Sequence, residues 1–426
     1  MGYALRDSAF DRLAAGLRRV DERWEVVVDD LVLRSVFQPV YSLSHGRPVG
    51  HEALVRAFDT TSGAGVEPER ALIGGGGFED RLRGDRAARM IHTLNFAELV
   101  GPDPHWLFVN VQSQVFVAIR RIVGDGFQQA LQARCGLRAS QLVLEVLEQQ
   151  VPADADFDGA VRAVRASGGL IAIDDFGAGH SNFDRVWRLS PEIVKLDRAL
   201  VRRAAVERRA HRVVGHLVSL LHQCGALVLM EGIETQAEAF VALESNADLV
   251  QGDLFGRPQP TLAGRADTPP ALQTLWEQYE VRRAGRQRRY QAQIRPYIEA
   301  IGEASAQLAG GRPFAEAVAA FLRLPQAEVC YLLDQDALQI GDNVWAPRRL
   351  LAEPQAFAPM RETREAHWAR RPYYRRAMDA IGSVQVTRPY RTLHGAHLCV
   401  TVSVALRTGE GVRVVCGDLG WTGDAA

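Results

Sequence analysis

The stretch GLIAIDDFGAGHSN, residues 169–182, carries the pattern from which the fold can be predicted. Its apolar run, residues 170–173, has the length and composition of a buried β-strand, and it ends in Asp174 and Asp175. Neither acid has a basic neighbour in sequence, and small residues follow. Because an isolated buried carboxylate is costly to ionise, the two acids require a partner from elsewhere in the chain.

Short apolar runs of this kind recur from residue 37 to residue 260. Short Val/Ile/Leu-rich runs such as HWLFVNV, QLVLEVL and ALVLMEG alternate with longer segments of helical periodicity such as DRAARMIHTLNFAELV. Repeated strand–helix units favour a parallel sheet, and this length suits a closed TIM-like (β/α)8 barrel. We therefore predict an α/β barrel over most of residues 1–265.

A polar group lies near the carboxyl end of each of seven apolar runs: Glu52, Asn110, Glu145, Asp174 with Asp175, Lys195, Glu231 and Gln251. A barrel of parallel strands brings such ends together at one rim, where active sites of this architecture lie. Any one of these acids could instead cap a helix or form a salt bridge, but seven in register predict a common site.

Crowded carboxylates repel one another, and divalent cations remove that cost. The candidate ligands are all oxygens, without Cys or paired His, so Mg²⁺ or Mn²⁺ fits the set and zinc does not. Two such ions could activate water against a phosphoryl group. Lys195 and Glu231 would then orient or deprotonate that water.

Composition excludes several classes of protein. The chain has 426 residues, a formal net charge of −1 and 47% hydrophobic residues, so no global charge attracts nucleic acid or membranes. Its five cysteines are scattered without CxxC spacing, which argues against a disulfide framework. No secretory signal and no 18-residue apolar span is evident, so we expect a cytoplasmic protein without a membrane span.

Three further segments surround the predicted barrel. Residues 8–36 have helical spacing, with Phe10, Leu13, Leu17 and Val20 on one face. Residues 266–311 are Arg-rich and predict a helical linker. Alternating runs near the end of residues 312–426 predict a smaller α+β domain with an antiparallel sheet.

With these residues in view, the sequence resembles the EAL-domain family of cyclic di-GMP phosphodiesterases over about residues 30–262. The motifs that carry the resemblance, in order, are FQPV, GHEALVR, FVN, LEVLE, DDFGAGHSN, PEIVKLD, EGIET and QGDLFGRPQP. The resemblance implies a TIM-like barrel that hydrolyses cyclic di-GMP to linear 5′-pGpG.

The resemblance also implies metal ligands. Four residues match ligands of a first ion: Glu52, Asn110, Glu145 and Asp174. Asp174 and Asp175 match those of a second, so two ions of Mg²⁺ or Mn²⁺ are implied.

Catalytic and substrate-binding roles are implied in the same way. Lys195 matches a water-orienting lysine and Glu231 a general-base or metal-site glutamate, and with Glu52 they form the implied catalytic group. The positions matching substrate contacts are Gln38, Leu54, Arg56, Asp197 and Gln251, with Arg56 on a phosphate. Glu148 matches a glutamate that braces the loop after DDFG, which in the family couples the second metal to dimerisation, so a homodimer is implied.

The chain departs from the family pattern at several positions. The loop after DDFG has Ala178, His180 and Asn182 where Thr, Tyr and Ser are usual, and Leu147, Gln112 and Asp253 also replace the common residues. No metal ligand is lost, so these changes bear on loop motion, dimer coupling and turnover. His180 could act in the site, or cap and pack as loop residues commonly do. The run GGGG at 74–77 lacks the context of a phosphate loop and predicts a flexible turn.

Residues 312–426 resemble a PAS-like or Cache-like sensor domain. The candidate contacts for a small ligand there are Trp368, Arg371, Tyr374, Tyr390 and Asp418. The same residues could instead form the core, with Arg371 paired to Asp418, and a dimerising module is an equal alternative.

Two functions follow from these patterns: a metal-dependent phosphodiesterase regulated by the C-terminal domain, or a cyclic di-GMP receptor with weak or absent catalysis. A structural or interaction module would explain neither the acids nor their register.

Overall fold

The computed structural model describes residues 9–68, 77–100, 105–122, 127–148, 155–179, 183–264, 266–347, 363–391 and 397–421. The chain forms two compact units, Met1–Tyr279 and Glu280–Ala426. None of the helices in the described ranges is both long and apolar enough to cross a membrane.

The first unit begins with helix α1 (Ala9–Ala14) and strands β1 (Leu17–Val20) and β2 (Arg23–Val28). The predicted helix over residues 8–36 is therefore wrong beyond its first turns. Two-residue turns join β1 to β2 and β2 to the next strand, and Asp21 and Glu22 both take positive φ, 47° and 62°. Such turns favour hairpins, and the β-branched run that follows pairs as a strand.

Eight strands within the described residues close the barrel: β3 (Leu31–Ser42), β4 (Arg47–Asp59), β6 (Trp106–Asn110), β7 (Leu142–Leu147), β8 (Leu170–Phe176), β9 (Ile193–Leu196), β10 (Leu227–Met230) and β11 (Leu249–Val250). A short strand β5 (Gly65–Val66) pairs with β4 outside the ring. The closed barrel that the sequence predicts is confirmed.

One strand breaks the expected parallel arrangement. β3 runs antiparallel to both β4 and β11, whereas the other six neighbouring pairs are parallel. A tight hairpin joins β3 to β4, and a hairpin can only produce antiparallel strands. Its register places Gln38 directly opposite Glu52.

Helices cover the outside of the barrel: α2 (Phe78–Leu99), α3 (Ser113–Ile122), α4 (Phe127–Cys135), α5 (Ala155–Ala166), α6 (Phe183–Leu189), α7 (Arg198–Val206), α8 (Arg208–Gln223) and α9 (Gln236–Glu244). Outward-facing strand residues such as Val109, Val146 and Ile173 pack against them in one large core cluster. The strands' other face forms the barrel interior.

A layer of apolar side chains fills the barrel interior: Val40, Phe108, Val143, Ala172, Ile193, Leu229 and Leu249. Because strand side chains alternate, the residue two positions on faces the same interior. On β6 to β11 that residue is the polar one predicted for the rim, such as Asn110 after Phe108. On β4 the layer position is Gly50, where an added Cβ would lie 2.7 Å from the Phe108 ring.

Helix α10 (Pro270–Ala309) lies within the predicted linker and contributes residues to both compact units. The second unit continues with α11 (Phe314–Ala317), α12 (Ala319–Leu322), β12 (Ala327–Leu333), β13 (Gln339–Trp345), α13 (Pro372–Asp379), β14 (Gln385–Val386), β15 (Tyr390–Arg391), β16 (Leu398–Thr408) and β17 (Gly411–Gly420). Its strands pair antiparallel throughout the described part, in the order β13–β12–β17–β16–β14, with β15 also on β16. The predicted smaller antiparallel sheet is confirmed.

Both faces of this second sheet are covered. Ile294, Tyr297 and Ile301 of α10 pack with Val402 and other residues on one face. On the other face, Tyr373 and Ala377 of α13 pack with Tyr331 and Cys416. The unit therefore has its own core on each side of the sheet.

Candidate active site

Lys195 lies at the centre of the barrel rim and is only 1% exposed. Its Nζ lies 2.6 Å from Glu145 Oε1, 2.8 Å from Glu231 Oε1, 3.2 Å from Asp174 Oδ1 and 3.7 Å from Glu52 Oε2. Four acids from four different strand ends therefore converge on one ammonium group. Positions that are far apart in the sequence therefore meet at one rim, as predicted.

Negative charge exceeds positive charge at this rim. Burial raises the pKa of Glu145 well above its usual range, and nearby Glu52 adds to the rise. Burial likewise raises the pKa of Glu231, against the opposing effect of Lys195. Burial alone would lower the pKa of Lys195, but the surrounding carboxylates outweigh it and raise that pKa. The positive charge of one lysine therefore offsets only part of the repulsion among several carboxylates.

Asp174 and Asp175 face the same site because strand β8 bulges. Between Ile173 and Phe176 the register with β9 shifts, so consecutive side chains no longer alternate strictly between the two faces. Asp175 takes a left-handed conformation with φ of 56°, which Asp tolerates better than most residues. One carboxylate oxygen from each of Asp174, Asp175 and Glu231 lies within 4.8 Å of the others. The bulge thus explains how two acids that are consecutive in the sequence can both face the site.

Asp174 and Asp175 differ in their surroundings. Burial by itself would raise the pKa of Asp174, but the charge of Lys195 and a hydrogen bond from Glu231 outweigh this effect and lower it. Burial and the charge of Asp174 raise the pKa of Asp175. Asp174 is therefore the ionised member next to the lysine.

A second set of polar contacts surrounds Glu52. Gln251 Nε2 donates to Glu52 Oε2 at 2.7 Å and lies 3.1 Å from Gln38 Oε1, while Asn110 Nδ2 donates to Glu52 Oε1 at 2.9 Å. Gln38 in turn donates to the Gly256 carbonyl at 3.1 Å. These amides hold the Glu52 carboxylate in one orientation.

The residues present fit divalent cations. Among the described residues, Glu145 Oε2 and Gln251 Oε1 are buried acceptor atoms without a hydrogen-bond donor. Buried acceptors are normally satisfied, so each such atom calls for a ligand. Carboxylate and amide oxygens are ligands suited to hard divalent ions.

A cleft of about 400 Å³ opens over these groups. Its wall includes the predicted residues Gln38, Glu52, Asp175, Glu231 and Gln251. Asp197 also lines it, while its carboxylate accepts the Ala199 N–H at 2.9 Å and caps α7.

The other predicted site residues lie nearby. Leu54 and Arg56 follow Glu52 on the same face of β4, beyond the residues that line the cleft, and Arg56 Nη1 donates to the Val55 carbonyl. Glu148 is buried, and Arg185 of α6, which follows the loop after DDFG, lies 3.4 Å from it. His180, Asn182 and residues 74–76 lie outside the described residues.

Sequence reasoning missed part of the cleft wall: Arg198, Gly232, Glu234, Gly252 and Asp253. Four of them lie within the EGIET (231–235) and QGDLF (251–255) motifs, so their position directly after the strand ends was the available signal. Gly252 is required there, because an added Cβ would lie 2.2 Å from the Ile233 carbonyl oxygen. The Ile233 N–H also donates to the Gln251 carbonyl at 3.1 Å, which joins the two loops.

Comparison with known proteins agrees with this fold. Residues 28–258 match the EAL domain model. The cyclic di-GMP phosphodiesterase NbdA of Pseudomonas aeruginosa is 28% identical over 267 residues, 60% of this chain and 34% of that protein. The cyclic di-GMP phosphodiesterase PdeL of Escherichia coli is 24% identical over 231 residues, 52% of this chain and 61% of that protein. The chain spans about a third of the length of the first curated relatives that it matches.

A solved structure has a similar fold. The Bacillus subtilis YkuI protein, with an EAL domain, in complex with substrate c-di-GMP and calcium, superposes with a TM-score of 0.77. It is 19% identical, and the match covers 92% of this chain and 97% of that one, so the likeness is one of fold. Since the family model covers more than half of the sequence, the chain belongs to the EAL domain family.

Proposed function

We propose that this chain is a metal-dependent phosphodiesterase that hydrolyses cyclic di-GMP to linear 5′-pGpG. The observation that carries the proposal is the convergence of Glu52, Glu145, Asp174 and Glu231 on Lys195 in the rim of an EAL-family barrel. Relatives named as cyclic di-GMP phosphodiesterases support the choice of substrate.

Two divalent cations, Mg²⁺ or Mn²⁺, would supply the positive charge that polarises a phosphodiester and acidifies water. The residues proposed to hold them are Glu52, Asn110, Glu145, Asp174 and Asp175. Their oxygens include the unpartnered Glu145 Oε2, which lies where a cation would relieve the repulsion among the acids.

The remaining roles belong to the chain's own groups. Glu231, whose pKa is raised by burial, is suited to exchange a proton with water in the cleft. Lys195 holds the acids in place and orients the water. Gln38, Leu54, Arg56, Asp197 and Gln251 are proposed to bind the substrate, with Arg56 on a phosphate. Glu148, through Arg185, would brace the loop after DDFG.

We propose a domain organisation of barrel 1–265, helical linker 266–311 and a PAS-like or Cache-like sensor domain 312–426, in a cytoplasmic homodimer. In the C-terminal unit Asp418 is buried and accepts from Thr401 Oγ1 at 2.6 Å, and the Arg371 guanidinium lies 5.8 Å from the Trp368 ring. Tyr374 donates instead to the Gln335 carbonyl at 2.7 Å. A small ligand near Trp368, Arg371, Tyr390 and Asp418 remains part of the proposal.

The test is a hydrolysis assay with purified chain, cyclic di-GMP and either Mg²⁺ or Mn²⁺, in which linear product is followed. Glu52→Ala is the matched variant, because it removes a proposed ligand while the strand remains. We expect turnover in the wild type that is lost in the variant. Tight binding of cyclic di-GMP without turnover at any metal concentration would identify a receptor and contradict the proposal.

A further inference from the structure

An irregular segment of the chain connects the rim of the barrel to helix α10. It comprises residues 256–264 and 266–268, here called the strap, and it follows the QGDLF motif directly. Because a hairpin joins β3 to β4, no crossover helix lies between these two strands in the sequence. The strap contacts both strands instead, at three levels of the barrel.

The strap is bonded to β3 near the rim. Gln259 pairs with Phe37 through two backbone hydrogen bonds, of 2.7 Å and 2.9 Å. The next residue of the strand, Gln38, donates from Nε2 to the Gly256 carbonyl at 3.1 Å. Gln38 belongs to the set of amides that holds Glu52. The strap therefore fixes a member of that set directly.

The middle of the strap is bonded to β4. His51 lies between the inward-facing positions Gly50 and Glu52, so its side chain points away from the barrel interior, where it is 0% exposed. Its Nε2 accepts the Ala263 N–H at 3.0 Å. Since a backbone N–H can only donate, His51 is neutral in this contact and carries its proton on Nδ1.

The strap ends at the turn between β3 and β4, residues 43–46, which lies at the end of the barrel opposite the rim. Thr268 Oγ1 donates to the Gly46 carbonyl at 2.8 Å. Trp276, in the second turn of α10, donates from Nε1 to the Leu43 carbonyl at 3.1 Å. The start of α10 is thus hydrogen-bonded to the hairpin whose two strands lead to the rim.

Helix α10 contributes to two hydrophobic cores. Leu272 and Leu275, each 1% exposed, belong to the core of the barrel, whereas Ile294 and Tyr297 belong to the core of the C-terminal unit. Energetic coupling between distant groups is carried by chains of hydrogen bonds and packed side chains. The strap and the β3–β4 hairpin form such a chain between the start of α10 and the rim.

We propose that the strap and the β3–β4 hairpin couple the start of α10 to the rim, so that ion binding at the rim and ordering of the strap stabilise each other. The hydrogen-bonded steps at the rim are Glu52 to Gln251, Gln251 to Gln38, and Gln38 to Gly256. The inference rests on the proposed function, because the ions are part of that proposal. It would give regulation by the C-terminal unit a physical route.

The first test uses the reciprocity of such coupling. Hydrogen exchange of the full chain is followed by NMR with and without Mg²⁺, and the Gln259 and Ala263 amides report on the strap. The control is the Leu227 amide, which donates to the Glu192 carbonyl at 2.9 Å at the start of β10. We expect Mg²⁺ to slow exchange of the two strap amides at least about fivefold more than that of Leu227. Any smaller difference would overturn the inference.

The second test loosens the strap at the end far from the rim. Thr268→Val with Trp276→Phe removes both donors to the β3–β4 turn and keeps side chains of similar size. Arg165→Met is the matched control, because it removes a side chain that donates to the Leu189 and Ser190 carbonyls, away from the strap. Mg²⁺ binding is measured by calorimetry without substrate, and the melting temperature is recorded for each variant.

We expect the dissociation constant for Mg²⁺ to rise about fivefold in the Thr268 and Trp276 double variant and to stay within about twofold of wild type in the Arg165 variant. Unchanged affinity in the double variant, or equal losses in both variants, would overturn the inference and leave the proposed function standing. A wild-type chain that bound neither Mg²⁺ nor Mn²⁺ would overturn the proposed function and the inference with it.

Discussion

The barrel and the C-terminal unit each bury a carboxylate on a β-strand, but the two carboxylates have different surroundings. Glu145 on β7 has Lys195 at 2.6 Å, yet its second oxygen has no donor among the described residues, and Glu52 and Asp174 repel it. Asp418 on β17 accepts from Thr401 at 2.6 Å and from Tyr331 at 3.4 Å.

The difference separates a carboxylate that needs a cation from one that already accepts hydrogen bonds from neighbouring hydroxyl groups. Acids outnumber the single lysine at the barrel rim, so their charge is incompletely balanced by protein. In the C-terminal sheet, hydroxyl groups and a pKa raised by burial to about 7 allow Asp418 to remain buried with little charge in mildly acidic solution. A buried acid indicates a cation site only where its oxygens remain unsatisfied.

The largest expected effect is the difference in hydrolysis and Mn²⁺ binding between variants of Glu145 and Asp418. Glu145→Gln should lower hydrolysis by at least about 10³-fold and weaken Mn²⁺ binding, because a charged ligand oxygen is lost. Asp418→Asn is the matched control, since it neutralises a buried acid of the other unit, and it should leave Mn²⁺ binding unchanged. Turnover assays measure hydrolysis and calorimetry measures Mn²⁺ binding in the two variants. Loss of Mn²⁺ binding in the Asp418 variant would contradict the distinction between the two carboxylates.

Removal of the lysine should affect turnover and metal binding in opposite directions. In Lys195→Met we expect hydrolysis to fall by about 10²- to 10³-fold, because the water-orienting group is absent. Mn²⁺ should bind at least as tightly as in the wild type, because the acids lose their only cation within 4 Å among the described residues. The melting temperature should also rise more on addition of Mn²⁺ than it does for the wild type. Weaker Mn²⁺ binding in this variant would argue against the charge imbalance.

The β8 bulge makes a narrower prediction about the number of ions. Asp175→Asn keeps a residue that tolerates positive φ but removes the carboxylate assigned to the second ion. We expect calorimetry to give one Mn²⁺ per chain instead of two, with turnover reduced by about 100-fold. Two ions per chain in the variant would assign the second ion elsewhere.

The sequence predicted the ring of polar side chains because it depends on local periodicity. Each rim residue on β6 to β11 follows an inward apolar residue by two positions, and that spacing is visible without a structure. The direction of β3 and the bulge at Asp174 depend on pairing between strands, which single-sequence periodicity does not encode.

The error at residues 8–36 has a similar cause. Leu13, Leu17 and Val20 are spaced as on a helix, but Asp21–Glu22 turns the chain after only four strand residues. The two-residue acidic turns and the run of valines at 26–28 were the stronger hairpin signals.

The smallest effect concerns Asp418 and pH. Because burial raises its folded-state pKa from 3.8 to about 7, the protonated form is the one favoured in the fold. The C-terminal unit should therefore lose stability as pH rises from about 4 to about 7 and lose little more above that. Asp418→Asn should remove this dependence. Hydrogen exchange of β17 amides, corrected for intrinsic rates, should be about tenfold or more faster in wild type than in the variant at pH 8 and similar at pH 5. An equal ratio at both pH values would contradict the assignment.

Anomalous diffraction from crystals of the full chain grown with Mn²⁺ would show directly whether the barrel rim binds two ions. We expect two peaks at the barrel rim, the first bound by Glu52, Asn110, Glu145 and Asp174 and the second by Asp174 and Asp175. Well-ordered density for these side chains with no Mn²⁺ peak between them, at a concentration that supports hydrolysis, would contradict it.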